Sequence, residues 1–122
     1  MNYVAAYSLS RNRRLRNSEN FTAVFRFQHQ ASSLHLQIYA KPNDLSYSRI
    51  GLVVSKRFER RAVKRNKIKR LLRETFRTFQ KKNDTAGMDW VMRLKRPIFK
   101  IDSTQFIAEI KLLMHELQQC HD

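Results

Sequence analysis

The chain has only one cysteine, Cys120, so no disulfide can form within it and its stability must come from packing. His115 and His121 lie near that cysteine but lack the paired spacing of a zinc site, and they read as ordinary tail residues. Glycine is almost as scarce. With Gly51 and Gly87 alone, the chain has no glycine-rich loop to cradle a nucleotide phosphate. Acids number ten against 25 lysines and arginines, and no pair of them stands at a spacing suited to general acid–base work or a divalent-metal clamp. No catalytic side chain and no protein-held metal is therefore expected. Long apolar runs are missing as well, and the opening MNYVAAYSLSRNRRLR has no apolar segment followed by a cleavage site. A cytoplasmic protein without a membrane span is the expectation.

What is present is charge of one sign. The net charge is +15 over 122 residues, and 42% hydrophobic residues suffice for one modest core, so residues 1–122 are expected to form a single domain. Eleven of the 22 residues from Lys56 to Arg77 are Lys or Arg, opposed only by Glu59 and Glu74. Inside this block Ile68, Leu71, Leu72, Phe76 and Phe79 recur at three- and four-residue spacing, which predicts one amphipathic helix rather than a disordered arm. At about 100° per residue, Asn66, Arg70, Arg73 and Arg77 fall on the opposite side, flanked by Arg65 and Lys69 on one edge and Lys67 on the other. Solubilising helices usually mix Glu with Lys at i,i+4. This one keeps like charges together, which costs stability unless a polyanion compensates. Guanidinium forks match phosphate oxygens, so nucleic acid is the expected partner. A membrane surface fits less well, because the apolar stripe is committed to a core.

Around this helix the pattern predicts a basic arm to Arg16, extended or loosely ordered, and a short helix over Ser18–Phe27 capped by Asn17 or Ser18. Alternation predicts strands over Leu34–Ala40, Arg49–Ser55 and Asp89–Lys95, with one more short strand around Gln28–Ser33. A last helix follows from Asp102 or Ser103 through Leu117. The strands at Leu34–Ala40 and Arg49–Ser55, joined by a turn-rich link, read as an antiparallel hairpin. One sheet face, with Leu34, Leu36, Ile38, Ile50, Leu52, Val54, Trp90, Met92 and Leu94, should be covered by the last two helices. The other carries His35, Gln37, Tyr39, Gly51, Val53, Ser55, Arg93 and Lys95, a mixture suited to a groove in which aromatics stack bases and cations hold the backbone. Phe21 and Phe25, on the first helix, would border it. The same phenylalanines also fit ordinary core packing, Tyr39 could serve a loop, and Arg93 and Lys95 could simply guard an edge strand.

The run RIGLVVSKR at 49–57, followed by RRAVKRNKIKRLLRE at 60–74, resembles the signature of the bacterial ribonuclease P protein subunit. Arg14-Leu15, Asn20-Phe21 and Val24-Phe25 upstream, and Met88-Asp89-Trp90-Val91 and Lys95-Arg96 downstream, extend the likeness over residues 11–118. One position departs: family members read Arg-Asn-Arg where this chain has Arg65-Asn66-Lys67, which keeps the charge and loses a bidentate fork.

The resemblance implies an α+β fold, a two-layer sandwich with a mixed four-stranded sheet and a central basic helix in the order α-β-β-β-α-β-α, like the second domain of ribosomal protein S5. It also implies a protein that joins a catalytic RNA to form an endoribonuclease, removing the 5′ leader from precursor tRNA by phosphodiester hydrolysis. Catalysis would reside in the RNA, which would hold the magnesium ions. Arg65, Asn66, Lys67, Lys69, Arg70, Arg73 and Arg77 would meet the RNA subunit, and Phe21, Phe25, Tyr39, Ser55 and Arg57 would line a groove for the leader. The implied partners are that RNA and precursor tRNA, with no membrane and no obligate protein partner. A basic ribosomal or RNA-chaperone protein is the alternative; a DNA-binding regulator lacks its recognition helix after a tight turn.

Overall fold

The computed structural model describes residues 13–83, 87–99 and 102–121. The rest of the expected arm, residues 1–12, and the side chains of Cys120 and His121 lie outside the described residues. Seven elements run in order: α1 (Ser18–Phe27), β1 (Gln30–Ser32), β2 (Leu36–Pro42), β3 (Arg49–Val53), α2 (Ala62–Asn83), β4 (Met88–Leu94) and α3 (Ser103–His121). The four strands form one sheet in the order β1-β2-β4-β3, antiparallel except for the parallel pair β3 and β4, which α2 joins.

Local chemistry accounts for the ends of α1. The Asn17 side chain accepts from the Asn20 N–H at 2.9 Å, Glu19 sits in the positive first turn, and Arg26 in the negative last turn. Gln28 then adopts a left-handed φ of 62° and closes the helix by donating its N–H to the Phe25 carbonyl. The arm that leads into α1, expected to be loose up to Arg16, is fixed earlier. Arg14 bridges Ile50 in parallel, the Leu15 N–H donates to the Ile50 carbonyl at 2.8 Å, and the Leu15 side chain is buried.

One sheet face and the apolar sides of α2 and α3 enclose the main core. Leu36, Ile38, Ala40, Ile50, Trp90, Met92 and Leu94 meet Ile68, Leu72, Phe76 and Phe79 of α2 and Phe106, Ile110, Leu113, Met114 and Leu117 of α3. Leu34 was expected in this set but is 62% exposed. Alternation begins at Leu36, because residues 33–35 form the bend between β1 and β2. That bend is tied to α3: Ser33 Oγ donates to Glu109 Oε2, the His35 N–H donates to the same oxygen at 3.0 Å, and His35 Nδ1 lies 3.0 Å from Oε1.

The expected antiparallel hairpin of β2 with β3 does not form. Strand β4 lies between them, antiparallel to β2 and parallel to β3. The link from β2 to β3 steps over the start of β4 and is fastened to it. The Asn43 N–H donates to the Gly87 carbonyl at 2.8 Å, and the Met88 N–H donates to Ser48 Oγ at 3.2 Å. Buried Asp89 takes two hydrogen bonds from the Arg49 guanidinium, at 2.9 and 2.8 Å, and one from Asn43 Nδ2 at 2.8 Å. Gly87, at a φ of +83° with the Leu45 carbonyl oxygen 3.0 Å from where a Cβ would stand, lets the chain enter β4 beneath this link.

Candidate nucleic-acid interface

The first of two surfaces is the solvent side of α2. Anchoring by Ile68, Leu72, Phe76 and Phe79 turns the opposite side outward, so Asn66, Lys67 and Arg70 are exposed and Arg65, Lys69, Arg73 and Arg77 half-buried; Lys64, one turn before Ile68, is exposed at the edge of the apolar stripe. The seven residues expected on this face thus do share one side of one helix. They differ in what holds them. Arg65 folds back to donate to the carbonyls of Glu59 and Arg60, at 3.1 and 2.7 Å, so part of its fork fastens the loop that leads into α2. Arg77 has its Nε withdrawn from solvent. Lys67, Lys69, Arg70 and Arg73 form no ion pair among the described residues. The first turn of α2 contains no acid although its dipole favours one, so this end of the helix is cationic twice over.

The second surface is the outer face of the sheet, beside α1. Register across β2, β4 and β3 stacks its residues in rows: Tyr39, Val91 and Gly51 in one, Gln37, Arg93 and Val53 in the next. Helix α1 lies over the first row. Phe25 meets Tyr39 edge to face at 4.8 Å, and the Phe21 ring lies on Gly51, where an added Cβ would come within 2.5 Å of Phe21 Cζ. Leu15, Val24, Tyr39 and Val91 are buried here as a second, smaller core, with Phe21, Phe25 and Val53 packed against it. This face is therefore less polar than expected, and Phe21 and Phe25 do pack as core residues on one side while staying partly open on the other. Tyr39, at 9% exposure, supports Phe25 more than it offers a platform of its own. The Ser55 backbone carbonyl accepts from the N–H groups of Phe58 and Glu59 at the turn before α2, and Arg57 stays exposed with its guanidinium 5.6 Å from the Phe58 ring centre.

The two surfaces meet. A hollow of about 170 Å³ between the arm, α1, β3 and α2 is lined by Arg14, Leu15, Phe21, Gly51, Lys69 and Arg73. Burial first, then the Arg14 and Arg70 charges, lower the pKa of Arg73 from the ordinary arginine value, against a smaller opposing pull from Glu74. Like charges gathered at a partly enclosed spot without a carboxylate in its lining are suited to a phosphate.

Two further cations belong to this region without having been singled out as site residues. Arg14 belongs in the sequence to the arm and to the family likeness, without a site role; apolar Leu15 between arginines is the available sign of a docked segment. Arg93 fits both the groove face and an edge guard in the sequence; β4 is an inner strand, so the edge-guard alternative fails for it and the side chain stands mid-face beside Gln37 and Val53. Among the described residues no cluster of three or more His, Cys, Asp or Glu occurs, and Asp89 and Glu109 are engaged by Arg49, Asn43, Ser33 and His35. No helix among the described residues is long and apolar enough to cross a membrane.

Comparison with known proteins converges on one family. The family model described as Ribonuclease P matches residues 9–118. The ribonuclease P protein component of Nitrosomonas europaea is 44% identical over 109 residues, covering 89% of this chain and 90% of that one. That of Chromobacterium violaceum is 37% identical over 117 residues, covering 96% and 95%. Among solved structures, the RNase P protein from Thermotoga maritima superposes with a TM-score of 0.69 at 27% identity, covering 84% of this chain and 96% of that one. A Staphylococcus aureus RNase P protein mutant reaches 0.83 at 21% identity over 97% and 98%, a likeness of fold.

Proposed function

The chain belongs to the ribonuclease P protein family, and from that premise we propose that it binds the catalytic RNA of the holoenzyme through α2 and the 5′ leader of precursor tRNA through the groove beside α1. The observation that carries this reading is the continuity of the two surfaces through the hollow of Arg14, Lys69 and Arg73, with no ion pair among the described residues to quench Lys67, Lys69, Arg70 or Arg73. A leader strand stacked on Phe21 and Phe25 would pass its backbone over Arg93 and Arg57 toward that hollow. The RNA subunit would lie along the outer side of α2. The protein's contribution is electrostatic and positional: it offsets repulsion between two RNAs and favours precursor over mature tRNA by holding the segment that only the precursor has. The chemical step and the magnesium ions that activate the attacking water belong, in this reading, to the RNA.

Reconstitution tests it. Added to a bacterial ribonuclease P RNA at low magnesium, the protein should restore cleavage of a leader-bearing precursor tRNA. RNA binding without any stimulation of cleavage would instead indicate a basic RNA chaperone.

A further inference from the structure

A second concavity lies on the far side of α2 from the leader groove, at the border of the basic side of the helix. Ile68 and Leu71 of α2 form its floor with Ile98 and Phe106, and it encloses about 160 Å³. Phe99 forms one wall and is 83% exposed, more than any other large apolar side chain among the described residues. Lys64 and Lys67 stand at the rim one helical turn apart, outnumbering the single carboxylate there, Glu59, which accepts from the Arg61 N–H at 3.1 Å; Ser103 completes the lining, and Lys67 belongs at the same time to the basic side of α2.

We propose that this pocket takes a single unstacked base of the RNA that lies on α2, held against Phe99 with its flanking phosphates on Lys64 and Lys67. The inference rests on the proposed function, since it needs RNA along α2. An apolar slot whose border keeps a net positive charge, two lysines against Glu59, suits an occupant that is flat and apolar in the middle and anionic at its edges, and an RNA base between its phosphates has that form. A second copy of the chain is disfavoured as occupant, because each copy carries +15. The pocket also gives position 67 a role that lysine can fill: a flexible ammonium at a rim, where a rigid guanidinium fork is not needed.

Equilibrium binding of the full-length protein to a bacterial ribonuclease P RNA, measured over a salt series, tests the pocket. Phe99→Ala should weaken binding about tenfold at every salt concentration without changing the slope, since one stacked base and no phosphate contact is lost. Phe99→Trp should retain the affinity. Because Phe99 is exposed, neither variant should lose its fold. Undiminished affinity in Phe99→Ala would overturn the inference, and so would self-association of the free protein that Phe99→Ala abolishes while RNA affinity stays put. Arg70→Ala with Arg73→Ala in the same series separates the two levels: a flattened slope there with an unaffected Phe99→Ala removes the pocket alone, whereas no change in either removes the proposed function with it.

Discussion

The two faces of the sheet are covered unequally. On the inner face two long helices bury Trp90, Met92, Leu36 and Ile38 completely. On the outer face the ten-residue α1 covers only the row of Tyr39, Val91 and Gly51, leaving Phe21 and Phe25 half-open and the row of Gln37, Arg93 and Val53 beside it partly accessible. One face is closed by its helices, and the other, built from the same kinds of side chain, stays partly open, which is the opening the proposed leader groove needs. Aromatic residues alone do not distinguish these uses; the length of the covering helix does.

The largest effect that would sharpen this contrast is on stability. Trp90→Ala removes a fully buried ring that packs edge to face on Phe79 at 6.4 Å, and should cost about 3–5 kcal/mol in urea denaturation. Phe25→Ala should cost clearly less; equal losses would erase the distinction between the faces. Next is Gly51→Ala. The new methyl meets the Phe21 ring and should destabilise by about 1–3 kcal/mol while displacing that ring, so preference for leader-bearing over leaderless tRNA falls and affinity for the RNA subunit changes little.

The smallest expected effect concerns the tie between the β1–β2 bend and α3. Burial pushes the Glu109 carboxyl up, but hydrogen bonds from Ser33 and from the ring and backbone N–H of His35, with the His35 charge, outweigh it and leave the group below its ordinary value. A carboxyl depressed in the folded state contributes stability above its unfolded pKa and loses it as pH falls through the folded one. Acid denaturation should therefore steepen below the usual carboxylate range, and Glu109→Gln should flatten that limb without moving the neutral-pH leader preference.

Much of this was legible in the residues themselves. A cap at Asn17 or Ser18 and the spacing of Phe21, Val24 and Phe25 place α1 at Ser18–Phe27, and the stripe from Ile68 to Phe79 orients α2, because both signals are local; that Asn17 is the cap is seen only in the structure. Strand pairing was not legible. Alternation tells which side chains share a face, not which strand lies alongside, so a six-residue link between β2 and β3 reads as a hairpin until Asp89 is seen fastening Arg49 and Asn43 across an inserted β4. The hollow that joins the two surfaces was hidden for the same reason. Arg14, Phe21, Gly51 and Arg73 come from four separate stretches of chain, and only their packing brings them together.

The central claim is that the α2 side and the α1 groove are distinct surfaces that meet at one hollow. The direct measurement is paired: affinity for a bacterial ribonuclease P RNA across a salt series, and preference for leader-bearing over leaderless tRNA by the assembled holoenzyme. Arg70→Ala with Arg73→Ala should weaken RNA affinity and flatten its salt slope by about one phosphate per residue, whereas Phe21→Ala with Phe25→Ala should lower leader preference and leave that slope intact. If both pairs reduced both quantities equally, the separation of the two surfaces would be contradicted.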